Sequence, residues 1–596
     1  MPGARGVRHH GWWLFAPVFV VCLAASLHAA GEYRTIEVES LRITVDSEWA
    51  TRSAPGYLPV RFDITNLGEA RTLVIVGVGS RFFRGPRMSQ AGGAQVRQVV
   101  RLARGDRVRL TITIPIYADN ESIRFELRED GRTLERFAYA SYQSKAPPAE
   151  ASLLIVADPA STLGKSAADL RRRPGPTAMT VPGGRSSSPL RDFILEPARL
   201  PTNWLGFTAL RAVLIGSQEW QQLNDAQKSA VLAWTAAGGD LLLVDGALDT
   251  LFPPGQAPRN PGAGQSVRAY FFGRIHLLTT AGLNAVGIAD VLATADVAQD
   301  PDWSLPANRS GDWGVIAGRG FRVLIPGIDG VPARAYLSIL IVFTLLIGPV
   351  NYWFLWRKRR QVLFVLTAPV ISMLFILLLA GYVIAGEGLA VYGRAVSFTM
   401  LDEVRKQAVT RASASLYAAG MTPGGGLRFG REVAIFPIGR DGTGSRERYV
   451  LDLTEAQRYS EGIIQARSPT NFDQIIFRQS RERLSFSRDG NGTVSVVNGL
   501  GAPVAMLVYR VGGTFYSLSA GVAPGDRATL EPGGRAALGL VPSDVPLSAR
   551  FRHLIDNQPE GSYLAFLERS PFWEPGTDIV ERGSFHLVIG WPQGQP

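Results

Sequence analysis

Two long apolar runs joined by four basic residues constrain this 596-residue chain more than any other feature it carries. Ala335–Trp356 holds no charged side chain over 22 residues, and Gln361–Ala385 holds none over 25. Each exceeds the roughly 20 residues that cross about 30 Å of hydrocarbon. Both runs are apolar all round, whereas a helix at the rim of a soluble core keeps a polar stripe. Pro349 and Pro369 are tolerated in such spans, and Trp353 and Trp356 suit the membrane interface. Short basic loops stay in the cytoplasm, so Arg357, Lys358, Arg359 and Arg360 are expected there. The prediction is a two-helix transmembrane hairpin, with spans at 335–356 and 361–385 and both flanking regions outside the cytoplasm.

The N-terminus agrees. Residues 1–30 place Arg5 and Arg8 before an apolar stretch that ends in SLHAA, the pattern of a secretory signal peptide. Cleavage near Ala29 or Ala30 is expected, although the run is long enough to stay as a third span. Cys22 is the single cysteine and lies inside this segment. A processed chain then has no disulfide, no thiolate metal site and no cysteine nucleophile. The expected location is the bacterial cytoplasmic membrane, with the large domains extracytoplasmic.

The formal charge of +11 comes mostly from arginine, scattered through RVRLTIT, SIRFELRED and RERLSFSRD. A nucleic-acid binder gathers its cations on one face or arm. Scattered arginines read instead as solvated strand faces, and no nucleic-acid partner is expected.

From Tyr33 to Tyr142 apolar residues alternate, as in Leu41, Ile43, Val45 and Val108, Leu110, Ile112, Ile114. Asp130-Gly131 between two such runs signals a hairpin. This reads as an immunoglobulin-like β-sandwich over 31–145. After Pro147-Pro148 the period changes. ASLLIVAD, RAVLIGS and GDLLLVDG are continuous apolar runs of the kind buried in a parallel sheet. Between the last two, Asn224 and Gln227 form a capping-box pattern and Gly238-Gly239 ends the helix. The result is an α/β domain over 151–285, closing with a strand in FGRIHLLTT, followed by a linker over 286–334. Residues 386–596 are β-rich. VSVVNGLGAPVAMLVYRV repeats the strand–Asn-turn–strand signature of YLPVRFDITNLGEARTLVIVG, which predicts a second sandwich at about 483–545. LTEAQRYSEGII is the best helix candidate in this region. The fold class is thus a multidomain α+β membrane protein.

This order resembles a group of uncharacterised bacterial two-span envelope proteins with a degenerate class I glutamine amidotransferase-like domain. The residues that carry the resemblance are LPTNWLGFTALRAVLIGSQEWQQLNDAQKSAVLAWTAAGGDLLLVDG and LLIGPVNYWFLWRKRR. It implies a flavodoxin/glutamine amidotransferase-like α/β fold. As partners it implies the membrane and other envelope proteins, such as a membrane-linked ATPase or a von Willebrand factor A protein. Enzymes of that fold use a cysteine that this chain lacks once processed, so ammonia release from glutamine is not expected, and no cofactor is implied.

Ligands in open α/β sheets bind beyond the carboxyl ends of the strands. Asp158, Ser217-Gln218-Glu219 and Asp245 follow three such ends, and Asp158, Ser217 and Asp245 form a candidate ligand crevice. The alternative is that they cap helices and close turns. Ser217 with His276 as its base is a sharper possibility, but Gly-x-Ser-x-Gly is absent because Glu219 fills its last position. His276, His553 and His586 are too dispersed for a histidine zinc site, and no phosphate-binding Gly-x-x-x-x-Gly-Lys loop occurs. Gly424-Gly425-Gly426 reads as a turn, and Trp573 as a packed loop anchor or an exposed partner contact. The function expected is a non-enzymatic scaffold or sensor subunit of an envelope complex. The alternatives are an envelope hydrolase or small-ligand receptor, and an accessory subunit of an exporter.

Overall fold

The computed structural model describes residues 34–46, 56–82, 90–116, 121–141, 151–166, 190–252, 266–280, 325–327, 333–387, 390–420, 424–438, 449–518, 520–533 and 549–593. The expected signal segment and most of the expected linker lie outside them.

Before the hairpin, β1 (Arg34–Val38), β2 (Leu41–Asp46), β3 (Gly56–Asn66), β4 (Arg71–Phe82), β5 (Gln90–Leu102), β6 (Arg107–Ile116), β7 (Glu121–Glu129) and β8 (Arg132–Ser141) come first. Then follow β9 (Ala151–Val156), β10 (Leu190–Leu195), β11 (Ala212–Gly216), β12 (Asp240–Val244), β13 (Val267–Tyr270) and β14 (Gly273–Leu278). After the hairpin come β15 (Val391–Asp402), β16 (Gln407–Ala418), β17 (Leu427–Phe429), β18 (Val433–Ile438), β19 (Val450–Asp452), β20 (Gln457–Glu461) and β21 (Pro469–Gln479). The last set is β22 (Arg483–Arg488), β23 (Val494–Gly499), β24 (Val504–Val511), β25 (Thr514–Leu518), β26 (Arg527–Pro532), β27 (Tyr563–Leu567), β28 (Val580–Glu581) and β29 (Phe585–Trp591). The fold is mixed α/β and β-rich.

Regions expected to be separate share a sheet. One seven-stranded sheet runs β17-β20-β19-β5-β4-β7-β8, so strands from both sides of the hairpin build it. The junction is parallel, with Val450 opposite Gln95 and Asp452 opposite Arg97. Tyr57, fully buried, reinforces it: its hydroxyl accepts from Ile435 N at 2.9 Å and lies 3.2 Å from Ile435 O and 3.3 Å from Gln457 Oε1. The region 31–145 is therefore continuous with part of 386–596 and shares its core.

The Asn-turn repeat is a structural repeat. Asn66 Nδ2 donates to Glu69 O and Ala103 O, while its Oδ1 accepts from Gly68 N. Asn498 Nδ2 donates to Ala502 O and Val522 O, while its Oδ1 accepts from Leu500 N. Each buried asparagine also meets an Ala-x-Gly-Asp turn through its backbone, at Gly105 and Asp106 in one case and Gly525 and Asp526 in the other. The strand pairings match as well. β2-β3-β6 and β4-β5, β4-β7, β7-β8 correspond to β22-β23-β26 and β24-β25, β24-β27, β27-β29. The second strand set therefore runs past 545 to Trp591. Phe486 of β22 stacks at 3.9 Å on Tyr509 of β24, so the two halves of that set face each other across a core.

β9, β10, β11, β12 and β14 are parallel, with β13 antiparallel at the edge, in the order β10-β9-β11-β12-β14-β13. Every residue of β11 and β12 is buried, as their continuous apolar runs require. Between them, helix Asp225–Ala236 starts on the expected capping box of Asn224 and Gln227. Gly239 is needed beyond its end, because a Cβ there would lie 2.3 Å from the Trp234 ring. Asp130 and Gly131, at φ 46° and 80°, make the expected tight turn between β7 and β8.

Leu337–Arg357 and Gln361–Leu379 form two helices long and apolar enough to cross a membrane. Their side chains are open to the surroundings, Leu337 at 59% and Leu366 at 66%. Pro349, which cannot donate its missing N–H, sits in a π turn over Leu346–Val350. Asn351 beside it is buried against the second helix, where its amide and the Thr367 hydroxyl bond at 3.0 and 3.1 Å.

A further expectation fails. The helix proposed in LTEAQRYSEGII is β20, with Gln457 and Tyr459 buried and Arg458 exposed. Its alternation is read by pairing with β17 and β19, and that tertiary choice overrides local helix propensity.

Replacing Tyr57 by Phe should lower stability by about 1–3 kcal/mol, because Ile435 N and O lose a buried partner. Urea unfolding would measure it, and a change below about 0.5 kcal/mol would mean that the hydroxyl adds nothing to the joint between the two regions.

Candidate functional site

The parallel register sets the expected crevice. Ile215 is opposite Val156, and Gly216 is opposite Val244, so the ends of β9, β11 and β12 lie side by side. Asp158, Ser217 and Asp245 thus follow neighbouring strands along one sheet edge, about 4.8 Å of sheet width apart per strand. The chain winds one way from β9 to β10 and the other from β11 onward, so Asp158 and Ser217 flank the reversal.

Their side chains do different things. Asp158 is exposed and its Oδ1 accepts from Ala160 N at 2.8 Å, closing the turn that leads into residues 162–166. Asp245 is exposed, at φ 50°, and both carboxylate oxygens are engaged by Thr280, one by its N–H at 2.9 Å and the other by its hydroxyl. Those two bonds hold the carboxyl below the ordinary aspartate range. Ser217 is half-buried and opens the short helix Ser217–Gln222. Glu219 behind it is buried with its carboxylate against Gly216, where any Cβ would lie 2.2 Å from Oε2.

The Ser217–His276 pairing does not form. His276 is level with Leu242, and its Nε2 turns to Asp240 Oδ1 at 3.4 Å, at the opposite end of β12 from Asp245. Arg274 Nε donates to the same oxygen at 3.0 Å. Burial acts to raise the Asp240 pKa, but the His276 hydrogen bond and the Arg274 charge outweigh it and leave the carboxyl below its usual range.

Sequence reading missed a second polar cluster. Ser397 Oγ lies 2.7 Å from His586 Nδ1, and His586 Nε2 lies 3.5 Å from Glu581 Oε2. The residues stand 189 positions apart, and only the parallel register of β15 and β29, with Ser397 opposite His586, unites them. The distances resemble those of a nucleophilic triad. Ser397 is fully buried in mid-strand, however, paired on both sides by β16 and β29, so among the described residues its hydroxyl has no open face toward a substrate and its strand's backbone groups are used by the sheet. Trp573 lies over His586 and donates to Glu581 at 3.1 Å, which makes it a packed anchor, 5% exposed. His553 is exposed and apart from both clusters. Gly426 takes φ +68° in a turn before β17, where a Cβ would meet Tyr459 O at 2.0 Å.

Glu403, in the turn between β15 and β16, is a strongly perturbed carboxyl. Its Oε1 accepts from Leu484 N and from the Tyr563 hydroxyl, both at 2.8 Å. Burial pushes its pKa up to about 7 despite those bonds. Tyr563 rises too, through burial and the neighbouring carboxylate. Among the described residues no group of three or more His, Cys, Asp or Glu side chains is placed to hold a metal.

No protein-family profile matches the chain, and no curated protein matches it. Among solved structures, a β-glucosidase from Kluyveromyces marxianus aligns over 79% of this chain and 45% of its own, with 6% identity and a TM-score of 0.09. The chain therefore spans less than half of that enzyme's length, and a likeness this weak carries no argument.

A glutamate ionises near 4.5 when unfolded and near 7 here, so Glu403 contributes stability that is full below about pH 4.5 and lost as pH rises through 7. Glu403→Gln should equal wild type at pH 5 and exceed it by up to about 3 kcal/mol at pH 8 in thermal or urea unfolding; equal stability at both pH values would refute the buried-carboxyl account. Asp245→Ala should destabilise by about 1–3 kcal/mol through the lost Thr280 bonds, whereas Ser217→Ala should stay within about 0.5. Equal effects of the two would remove the distinction drawn between a turn-closing residue and an uncommitted one.

Proposed function

We propose that this protein is a two-span scaffold or sensor subunit in the bacterial cytoplasmic membrane, without enzymatic activity, whose extracytoplasmic body binds another envelope protein. The observation that carries this reading is the shared sheet. A body built from strands on both sides of an apolar hairpin must lie on one side of any bilayer the hairpin crosses. The tip, with Arg357, Lys358, Arg359 and Arg360 all exposed, then occupies the other side, and the positive-inside preference makes that side the cytoplasm. The order β10-β9-β11-β12-β14 supports the flavodoxin/glutamine amidotransferase-like reading of the middle region, because the flavodoxin type winds in the same sequence. The repeated strand pairing, two facing sheets closed around an Asn turn, supports two immunoglobulin-like modules. A membrane-linked ATPase, a von Willebrand factor A protein or an exporter fits as a partner through the resemblance described above.

A second reading has its own support. Asp158 and Ser217 flank the winding reversal, which is where doubly wound sheets take ligands, so a hydrolase or small-ligand receptor would act there. Full use of Asp245 by Thr280 weighs against it.

Topology is tested with Lys358→Cys and Ser485→Cys, each in a Cys22→Ser background, and a thiol reagent that cannot cross membranes. Labelling of intact spheroplasts at 485 and protection at 358 until lysis is expected, and the reverse pattern would overturn the orientation. Crosslinking in membranes and recovery of a stoichiometric envelope protein on a C-terminal tag would support the subunit reading. Recovery of the chain alone, with binding of a small molecule abolished by Ser217→Ala, would replace it with the crevice.

A further inference from the structure

The seven-stranded sheet has one face turned to the core and one turned outward. Phe429, Tyr459, Leu451, Val96, Ile75 and Phe125 are buried on the inner face. On the other face the registers align one residue from each strand: Arg428 opposite Arg458, then Asp452, Arg97, Val76, Glu126 and Arg136, of which Val76 and Glu126 are buried beneath their neighbours and the four arginines are exposed. At about 4.8 Å per strand this row is roughly 29 Å long. Arg101 of β5 and Arg124 and Arg128 of β7 point from the same face beside it.

The carboxylates on this face are already occupied. Glu126 takes both Arg128 and Arg136, and Asp452 Oδ1 accepts from Thr454 N at 2.8 Å. Arg97, Arg101 and Arg124 are exposed and, among the described residues, none forms an ion pair. Arg428 sits directly across from Arg458; Glu455 lies 3.8 Å from Arg428 and Arg458 Nε donates to Gly425 O at 2.8 Å, so the cations left for an external anion are Arg97, Arg101 and Arg124. The seven strands contain no lysine. Guanidinium groups form two-pronged bonds to phosphate oxygens that an ammonium cannot match.

We propose that this arginine face docks on a bilayer of anionic phospholipids and engages their headgroup phosphates. The face is broad and spreads its cations in two dimensions, which fits a planar array of phosphates better than a single strand of a polymer. A bilayer is also the one extended anionic surface that an apolar hairpin would hold permanently within reach of the body. In this respect the inference rests on the membrane reading above. Each arginine close to such a surface contributes about fivefold to affinity, and salt weakens the contact.

The full chain, incorporated in discs of zwitterionic lipid, is mixed with vesicles of phosphatidylcholine alone or with added phosphatidylglycerol, and flotation reports capture. Capture by the phosphatidylglycerol vesicles only, lost in high salt, is expected. The triple variant Arg97→Gln/Arg101→Gln/Arg124→Gln should bind about a hundredfold more weakly while melting like wild type, since all three side chains are exposed. Absence of capture, or equal capture of the variant, would overturn the proposal. So would binding of soluble polyphosphate without binding of vesicles, which would make the face a site for a linear polyanion. Incorporation into discs is scored first. A chain that stays soluble would sink the hairpin reading alone, and it would then be mixed with the vesicles directly.

Discussion

The parallel joint between β5 and β19 is the contact on which the rest of the architecture depends. It pairs residues about 350 positions apart, and the hairpin lies between them. A loop that long carries a closure entropy that grows only slowly with length, so once the backbone bonds and the packing of Tyr57, Leu451 and Tyr459 form, they hold it. The joint also fixes a geometric fact: wherever the hairpin goes, both of its ends return to one body. That separates a two-span hairpin, which satisfies the joint, from a single span, which does not.

The α/β sheet is locked to the same body by cations on aromatic faces. Arg411 Nη2 donates to Ala237 O, with its guanidinium 5.0 Å from the Phe272 ring. Arg405 lies over Phe252 and Tyr270, and the Tyr270 hydroxyl donates to Gln407. Trp204 donates to Glu432 O on the other flank. These hydrogen bonds and ring contacts join the α/β sheet to the strands that follow the hairpin. His276 is committed to Asp240, and Ser397 is buried beside His586, over which Trp573 lies.

Local pattern was a good guide where burial dictates periodicity. The continuous runs of β9, β11 and β12, the alternation of β2, β3 and β6, the Asn224–Gln227 cap and the Asp130-Gly131 turn each depend on neighbours within a few residues, and each was legible. The repeat of the asparagine turn was legible too, but only the structure gives its reason. A buried amide that satisfies two carbonyls and an N–H needs a distant Ala-x-Gly-Asp turn to complete it. The β20 segment was misread because its strand state depends on pairing with β17 and β19 on both sides, and a short amphipathic stretch taken alone fits a helix equally well. Of the crevice residues, their common edge was readable from strand ends, whereas the Asp245–Thr280 bonds were not.

By itself the sequence determined the apolar hairpin with its basic tip, the change from alternating to continuous strands, and the absence of a cysteine beyond position 22, because each is a property of composition or short-range order. Only the tertiary structure decided which charges meet. Arginines that look evenly scattered along the chain gather on one face of a seven-stranded sheet, because register brings Arg428, Arg458, Arg97 and Arg136 into one row, with Asp452, Val76 and Glu126 between them, while residues of the alternate face go to the core. A period of two assigns a residue to a face, but the strand order assigns it its neighbours, and that order was set by contacts spanning the hairpin.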